Sequence, residues 1–156
     1  MGRVAIIGIG NILMADEGAG VEALSLLEER GCPDFVELID AGTAFFAIVS
    51  DLRDFEKLII LDVARGGQPP GTVYRFELDD VKGNDVLLSL HDIGVVDALR
   101  MERLVGGVPD DIVFFGIEPQ KVELCIGLSP PVSERLHYLV DRVLKELEYG
   151  SETFPY

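Results

Sequence analysis

The sequence predicts an α/β fold of three layers, α/β/α, in which helices cover both faces of a mainly parallel sheet. Short apolar segments rich in β-branched residues alternate along the chain with segments whose apolar residues repeat at helical spacing. The length of 156 residues suits one domain with its own core. We therefore expect a single domain over residues 1–149 and a loose C-terminal tail over residues 150–156, where the periodicity stops.

The first half of the chain contains three predicted strands and two predicted helices. The strands lie at residues 3–8, 35–39 and 57–61, and the helices at residues 16–29 and 43–52. The run at 57–61 is almost entirely apolar, which is typical of a parallel strand buried on both faces. The first helix places apolar residues three and four positions apart, and Gly31 and Pro33 end it.

The second half contains an edge strand, a buried strand and two helices. Residues 72–76 alternate in polarity and predict a half-exposed edge strand, whereas residues 112–117 predict a buried one. One helix is expected at residues 92–104. The last helix opens at Ser129, where two prolines follow a capping residue. The stretch at 78–90 has no regular pattern and is predicted to be irregular.

The composition is strongly acidic, with 28 acidic against 13 basic side chains and a formal net charge of −15. Such a surface repels nucleic-acid phosphates and anionic lipids and favours a neutral or basic protein partner, although solubility alone also explains it. No apolar run reaches the roughly 20 residues of a membrane span. Cys32 and Cys125 form no CxxC pair. We expect no nucleic-acid or membrane partner and a soluble, cytoplasmic protein with reduced thiols.

Three ionisable residues follow predicted strands at positions where a parallel sheet binds ligands. Glu17 comes after the first strand, Asp62 closes the third, and His91 precedes a later helix. If the strand order is 2-1-3, the carboxyl ends of strands one and three flank the crevice in which ligands bind. Glu17 and Asp62 then face each other there, and His91 completes a set that suits a borderline divalent metal ion.

Each of these residues also has a purely structural interpretation. Glu17 is a first-turn acid that the helix dipole favours, and Asp16 beside it is a candidate N-cap. Asp62 at a strand end can accept hydrogen bonds from loop amides, and Asp40, which closes the second strand, can cap the following turn. His91 before a helix can be structural. The pattern of residues leaves both interpretations open.

Nucleotide binding, a different class of function, is suggested by Gly8-x-Gly10 after the first strand. The dinucleotide-binding pattern GxGxxG needs a third glycine at position 13, where Leu13 stands instead. Asp40 could still take the place of the acid that binds ribose. The chain contains no GxSxG, HExxH or P-loop motif. We expect no specific binding of NAD, FAD or ATP.

Residues 8–20, GIGNILMADEGAG, resemble the opening motif of the hydrogenase maturation proteases, the endopeptidases that trim the C-terminus of the large subunit of nickel–iron hydrogenases. Six further blocks follow in the order of that family. They are DAGT at 40–43, LIILD at 58–62, PPGT at 69–72, SLHDIG at 89–94, GIEP at 116–119 and GLSP at 127–130. The blocks cover nearly the full chain, so the resemblance is specific.

The resemblance implies an α/β/α peptidase fold with a five-stranded sheet. It also implies that Glu17, Asp62 and His91 are the metal ligands, because each matches a ligand position of the family. By the same resemblance, Glu17 and Asp62 are candidate catalytic residues. Either a metal-bound water or a carboxylate base can start hydrolysis, and the sequence does not separate these two routes.

Further residues of the family motifs belong to the surroundings of that site. Asp40 matches a family acid near the cleft and is, together with Asp16, a second-tier candidate for the same cleft. The chain departs from the family at Ala41, where glycine is usual. Phe45 and Phe46 form a pair that is bulkier than expected there and predict a narrowed entry for the substrate.

By resemblance, the chain is an endopeptidase that removes the C-terminal extension of a nickel–iron hydrogenase large-subunit precursor after nickel insertion. A ligand set without thiolate binds metal more weakly than a structural zinc site. We therefore expect the precursor to supply the nickel, with zinc or cadmium as possible occupants in a crystal. The alternative is a non-catalytic nickel-binding chaperone or checkpoint scaffold for hydrogenase assembly that uses the same ligands.

Overall fold

The computed structural model describes residues 2–81, 87–88 and 93–149. In chain order the elements are β1 (Val4–Ile9), α1 (Ala19–Arg30), β2 (Val36–Gly42), α2 (Phe45–Ile48), β3 (Lys57–Arg65), β4 (Val73–Glu77), β5 (Leu87–Leu88), α3 (Ile93–Leu104), β6 (Asp111–Ile117) and α4 (Pro130–Tyr149). Short 3-10 turns lie at Ala15–Gly18, Val49–Asp51 and Leu78–Asp80. His91 and the tail predicted at 150–156 lie outside the described residues.

The sheet has the order β2-β1-β3-β6-β4, and β5 pairs with the end of β3 beside this path. β1, β2, β3 and β6 run parallel, whereas β4 is antiparallel to β6 and forms one edge. The apolar runs predicted as buried strands occupy the centre of the sheet, and the alternating segment is the predicted edge strand. This arrangement confirms the predicted fold class and contains the 2-1-3 order that the site prediction assumed.

Two apolar clusters lie on opposite faces of the sheet and produce the three layers. Along β3, Ile59, Leu61 and Val63 join the cluster formed with α1 and α4. The alternate residues Leu58 and Ile60 join the cluster that contains residues of α2 and α3. Helices therefore cover both faces. Within the part of the chain that the structure describes, no helix has the length and apolarity needed to cross a membrane.

Glycines allow α1 to pack directly on the ends of the central strands. A Cβ atom on Gly20 would lie 2.3 Å from the carbonyl oxygen of Leu61 and 2.5 Å from that of Ile9. A Cβ atom on Gly8 would lie 2.6 Å from the carbonyl oxygen of Gly20. Because neither side of this contact has room for a side chain, Gly8 of the Gly8-x-Gly10 motif serves close helix–sheet packing.

Several predicted boundaries differ from the structure. β3 does not end at Leu61, because pairing with β6 continues to Val63 and β5 pairs with Ala64 and Arg65. Asp62 therefore lies inside the strand. β5 falls in a stretch that was expected to be irregular, since two residues carry too little periodicity to predict a strand. A 3-10 turn precedes α1, which begins three residues later than predicted.

A buried ion network closes the end of the sheet at which β3 and β6 begin. The ammonium group of Lys57 lies 3.0 Å from Oε1 of Glu146 and 3.1 Å from Oδ2 of Asp111. Nε of Arg75 donates to Oε2 of Glu146 at 3.1 Å, and its Nη2 donates to Oε1 at 2.9 Å. Glu146 of α4 is fully buried. The network thus joins α4 to the starts of two strands and to the edge strand.

The charge of Glu146 is maintained by its cationic partners. Burial raises the pKa of this carboxyl, but the hydrogen bonds and charges of Arg75 and Lys57 outweigh burial and leave the pKa below its ordinary value of 4.5. A group with a lowered pKa stabilises the fold above its unfolded-state pKa, and this contribution is lost as the pH falls through the folded-state pKa.

We predict that Glu146→Gln lowers the free energy of unfolding at neutral pH by about 3 kcal/mol, because Lys57 and Arg75 lose a buried counterion. The contribution of the wild-type carboxylate is complete above pH 4.5 and declines below it. Urea unfolding of wild type and of Glu146→Gln should be measured at pH values above and below 4.5. The difference between their free energies of unfolding should shrink in acid.

The matched control is Glu37→Gln, which removes the partner of Arg3 in an exposed ion pair. This change is expected to cost less than about 1 kcal/mol. If Glu146→Gln costs no more than Glu37→Gln, or if its cost is independent of pH, the ion network does not stabilise the fold in this way.

Candidate functional site

A crevice opens where the central strands separate. The pairing of β1 with β3 ends at Gly8 and Leu61, whereas β3 continues along β6 as far as Val63. β1 leads to β2 on one side and β3 leads to β6 on the other, so the strand order reverses at this point. In open α/β sheets the crevice at such a reversal is the usual ligand site.

Glu17 and Asp62 belong to the two elements that flank this crevice. Glu17 lies in the 3-10 turn that follows β1, and this turn contacts β3. Asp62 lies in β3, and by strand alternation it is on the face covered by α2 and α3. The residues are 7% and 2% exposed, respectively. Two carboxylates with so little exposure at a switch point are typical of a functional site.

The backbone on the way to Glu17 is held in unusual conformations. Gly10 has a φ of +140°, and a Cβ atom there would lie 1.9 Å from the carbonyl oxygen of Glu17. Among the described residues, Ala15 is the one non-glycine residue with a positive φ, at +51°. A left-handed alanine costs about 1–2 kcal/mol. Backbone strain of this kind concentrates at functional sites, and here it immediately precedes Asp16 and Glu17.

Asp16 fastens the turn to a distant segment of the chain. Its Oδ2 accepts hydrogen bonds from the backbone N–H groups of Gln120 and Lys121 at 2.9 and 2.8 Å and from the hydroxyl of Ser129 at 2.7 Å. Its Oδ1 accepts from the backbone N–H of Ser129 at 2.7 Å. Asp16 is fully buried and caps neither the turn nor α1. Asp16 is therefore a structural clamp and not the N-cap that its sequence position allowed, while its second-tier place in the cleft stays a prediction.

Asp40 lies on the open side of the site. It is exposed, and its Oδ1 accepts a hydrogen bond from the backbone N–H of Gly42 at 2.9 Å, which is the turn-capping contact that its sequence position allowed. Asp40 also lines an open depression of about 470 Å³ together with Ile12, Leu13 and Thr43. The volume falls in the range of about 300–1,000 Å³ that is usual for ligand sites.

Glu118 is a buried carboxylate that sequence reasoning did not single out. Its Oε1 accepts hydrogen bonds from the backbone N–H groups of Gly66 and Gln68 at 2.8 and 3.1 Å and from the hydroxyl of Tyr74 at 2.6 Å. Burial and this contact with Glu118 raise the pKa of Tyr74 to about 12. Glu118 thus fixes the loop after β3 to the end of β6. An acid directly after a buried strand was the available signal.

The two rings of the predicted aromatic pair have different surroundings, and the narrowed substrate entry stays a prediction. Phe45 is buried in the core and does not reach an entry. Phe46 is exposed, and its Cζ lies 2.8 Å from the position that a Cβ atom would occupy on Gly94 in the first turn of α3. The Phe46 ring is therefore next to the first turn of α3.

The carboxylates suit a hard or borderline divalent ion, since oxygen ligands without thiolate favour such metals. Among the residues that the structure describes, no three Asp, Glu, His or Cys side chains form a metal-binding group. His91, the predicted third ligand, is outside those residues. Two donors from the described chain are therefore placed at the crevice, and the full set of Glu17, Asp62 and His91 stays a prediction.

Comparison with known proteins identifies the class. A family model described as hydrogenase maturation protease matches residues 21–146. Hydrogenase 2 maturation protease of Escherichia coli is 34% identical over 157 aligned positions, which cover 98% of this chain and 96% of that protein. The hydrogenase maturating endopeptidase HybD from Escherichia coli superposes with a TM-score of 0.84 at 31% identity, covering 96% of this chain and 94% of that one.

A second solved structure is also similar to this chain. The [NiFe] hydrogenase maturation protease HybD from Thermococcus kodakarensis has a TM-score of 0.78 at 27% identity, covering 92% of this chain and 97% of that chain. The fold and the crevice define an α/β protein with an acidic site at its switch point. The matches to family, sequence and structure then show that the chain belongs to the hydrogenase maturation proteases, a family of endopeptidases.

We predict that Asp16→Asn lowers the free energy of unfolding by about 2–3 kcal/mol. The charge-assisted bonds are lost, and the amide NH₂ of asparagine would face N–H donors. Urea unfolding measures the loss, and amide hydrogen exchange should quicken at residues 119–128. Asp40→Asn is the control, because an exposed asparagine can still accept from Gly42. An equal effect of the two changes would show that Asp16 is not the clamp.

Proposed function

We propose that this protein removes the C-terminal extension of the large-subunit precursor of a nickel–iron hydrogenase after nickel has been inserted. Glu17 and Asp62 carry the proposal, because they are two nearly buried carboxylates at the switch point of a hydrogenase maturation protease. In this proposal they bind the nickel of the precursor together with His91. The nickel is part of the substrate.

The chemistry of the ligands supports the proposal that the nickel is part of the substrate. Carboxylate oxygens and one imidazole bind nickel less tightly than a thiolate site would, so the protein can test for a metal without removing it. The scissile bond would be positioned by the nickel that the precursor already contains. Cleavage then depends on completed metal insertion, which makes the protein a checkpoint as well as a protease.

Hydrolysis requires that water add to the carbonyl carbon and that the C–N bond break with a proton delivered to the leaving amine. A carboxylate at Glu17 or Asp62 can accept the proton from water and pass it to the amine. Nickel bound at the same site would lower the pKa of a water or polarise the carbonyl. Both routes require the carboxylates in their charged form.

The proposal also covers the partner of the protein and the cellular compartment in which it acts. The net charge of −15 disfavours nucleic acid and anionic membranes and favours a protein partner that is neutral or basic. Cys32 and Cys125 are free thiols. Free thiols are typical of the cytoplasm, which is where we propose that the precursor is processed.

We predict that the wild-type protein shortens a purified, nickel-loaded large-subunit precursor and leaves the nickel-free precursor intact. Glu17→Gln and Asp62→Asn should each lower the cleavage rate by about 100-fold or more, because a general base or a ligand loses its charge. The mass of the precursor before and after incubation measures cleavage.

The control for these variants is Glu22→Gln, which changes an exposed acid in the first turn of α1. It should cleave at the wild-type rate. Equal cleavage of nickel-loaded and nickel-free precursor would refute the checkpoint. Binding of the precursor without cleavage would replace the protease with the non-catalytic nickel-binding scaffold.

We predict that nickel, zinc or cadmium binds the isolated protein at one weak site and that His91→Ala abolishes this binding, since one of three ligands is lost. Calorimetric titration measures it. His137→Ala is the matched control, because His137 is the second of the two histidines and is exposed on α4. Unchanged binding by His91→Ala would remove His91 from the site.

A further inference from the structure

Four exposed aliphatic side chains lie in two loops that pair near the turn carrying Glu17. Ile12 and Leu13 lie in the loop that leads from β1 to Glu17, and both are about half exposed. Leu124 and Ile126 lie in the loop between β6 and α4 and are 83% and 79% exposed. We call these four residues the apolar loop surface. Exposed aliphatic groups that lie together on an otherwise acidic protein indicate an interaction site.

Backbone hydrogen bonds make the two loops one surface. The N–H of Cys125 donates to the carbonyl oxygen of Leu13 at 2.9 Å, and the N–H of Ala15 donates to the carbonyl oxygen of Cys125 at 2.7 Å. Leu124 and Ile126 immediately flank Cys125. The two loops that carry the four aliphatic residues are therefore neighbours, although they are more than 100 positions apart in the chain.

The surface is built before any partner binds. Asp16 holds the second loop through the backbone of Gln120, Lys121 and Ser129, and Oδ1 of Asn11 accepts a hydrogen bond from the N–H of Leu13 at 2.9 Å. Loops fixed in this way lose little conformational freedom on binding, so more of the contact energy appears as affinity.

The surface is continuous with the proposed catalytic site. Ile12 and Leu13 line the depression that also contains Asp40, and the same loop runs on to Glu17 within four residues of Leu13. In the proposed function, a peptide bond held at Glu17 would bring its neighbouring residues close to this loop. Aliphatic side chains favour apolar neighbours, whose burial contributes about 25 cal/mol for each Å² removed from water.

We propose that the apolar loop surface binds an apolar segment of the hydrogenase large-subunit precursor that adjoins the cleavage point. This inference rests on the proposed function, which supplies the identity of the partner. The surface determines how tightly the precursor is held, and the carboxylates determine whether it is cut.

The test is the pair of substitutions Leu124→Asp and Ile126→Asp in one protein. The dissociation constant for the nickel-loaded precursor, measured by calorimetry, should rise about tenfold or more, as expected when anchor residues of an interface are lost. KM for cleavage should rise in parallel with little change in kcat. Leu124→Ser with Ile126→Ser should act in the same direction, which separates loss of apolar contact from added charge.

The matched control is Leu104→Asp with Val105→Asp. These residues are 87% and 77% exposed at the end of α3. The neighbouring Arg103 pairs with Asp79, which follows the antiparallel β4 and therefore lies at the opposite edge of the sheet. The control adds the same charge far from the crevice. It should leave the dissociation constant and KM unchanged.

The outcomes separate this inference from the proposed function. Wild type that binds but does not cut refutes the protease, while loss of affinity in the Leu124 and Ile126 variants still supports the surface. Wild-type affinity in those variants, or no binding of the precursor to wild type, overturns the surface. Binding of the precursor to this surface is also overturned if sedimentation shows that the wild-type chain self-associates and that these substitutions abolish the self-association. The surface would then bind a second copy of this chain.

Discussion

The carboxylate of Asp16 is the contact on which the rest of the site depends. Its two oxygens accept four hydrogen bonds from residues 104 to 113 positions away, and its own backbone is part of the turn that carries Glu17. Removing such a carboxylate would leave several buried N–H groups without an acceptor, which is costly. One side chain therefore fixes the position of Glu17 and the shape of the loop over residues 119–129.

The two ends of the sheet use buried charge for different purposes. At the end where β3 and β6 begin, Glu146 is neutralised by Lys57 and Arg75, so the charges cancel within the protein. At the opposite end, Asp16 and Glu118 are occupied by backbone N–H groups that shape loops. The scaffold thus pairs opposite charges at one end of the sheet and uses carboxylates that accept backbone N–H groups to shape loops at the other.

The sequence predicted the layers and the central strands, because apolar runs of five residues indicate burial on both faces. The placement of Glu17 and Asp62 at the switch point depended on an assumed order 2-1-3, which the sheet contains. It did not predict that β3 continues through Asp62 or that β5 exists, since both depend on pairing with remote strands. The role of Asp16 was equally hidden. Its partners are more than 100 residues away, and an acid before a helix has a simpler local explanation as a cap.

The proposed dependence on nickel follows from the electrostatics of the crevice. Glu17 and Asp62 are nearly buried in a chain of net charge −15, so bringing a further anionic or neutral group between them gains little. A cation carried by the partner is favoured there, because opposite charges attract more strongly where water is scarce. The apolar loop surface has no preference for a cation and would bind the nickel-loaded and the nickel-free precursor alike. In the two proposals, different residues recognise the precursor chain and its metal, and both requirements would meet at Glu17, where the loop ends.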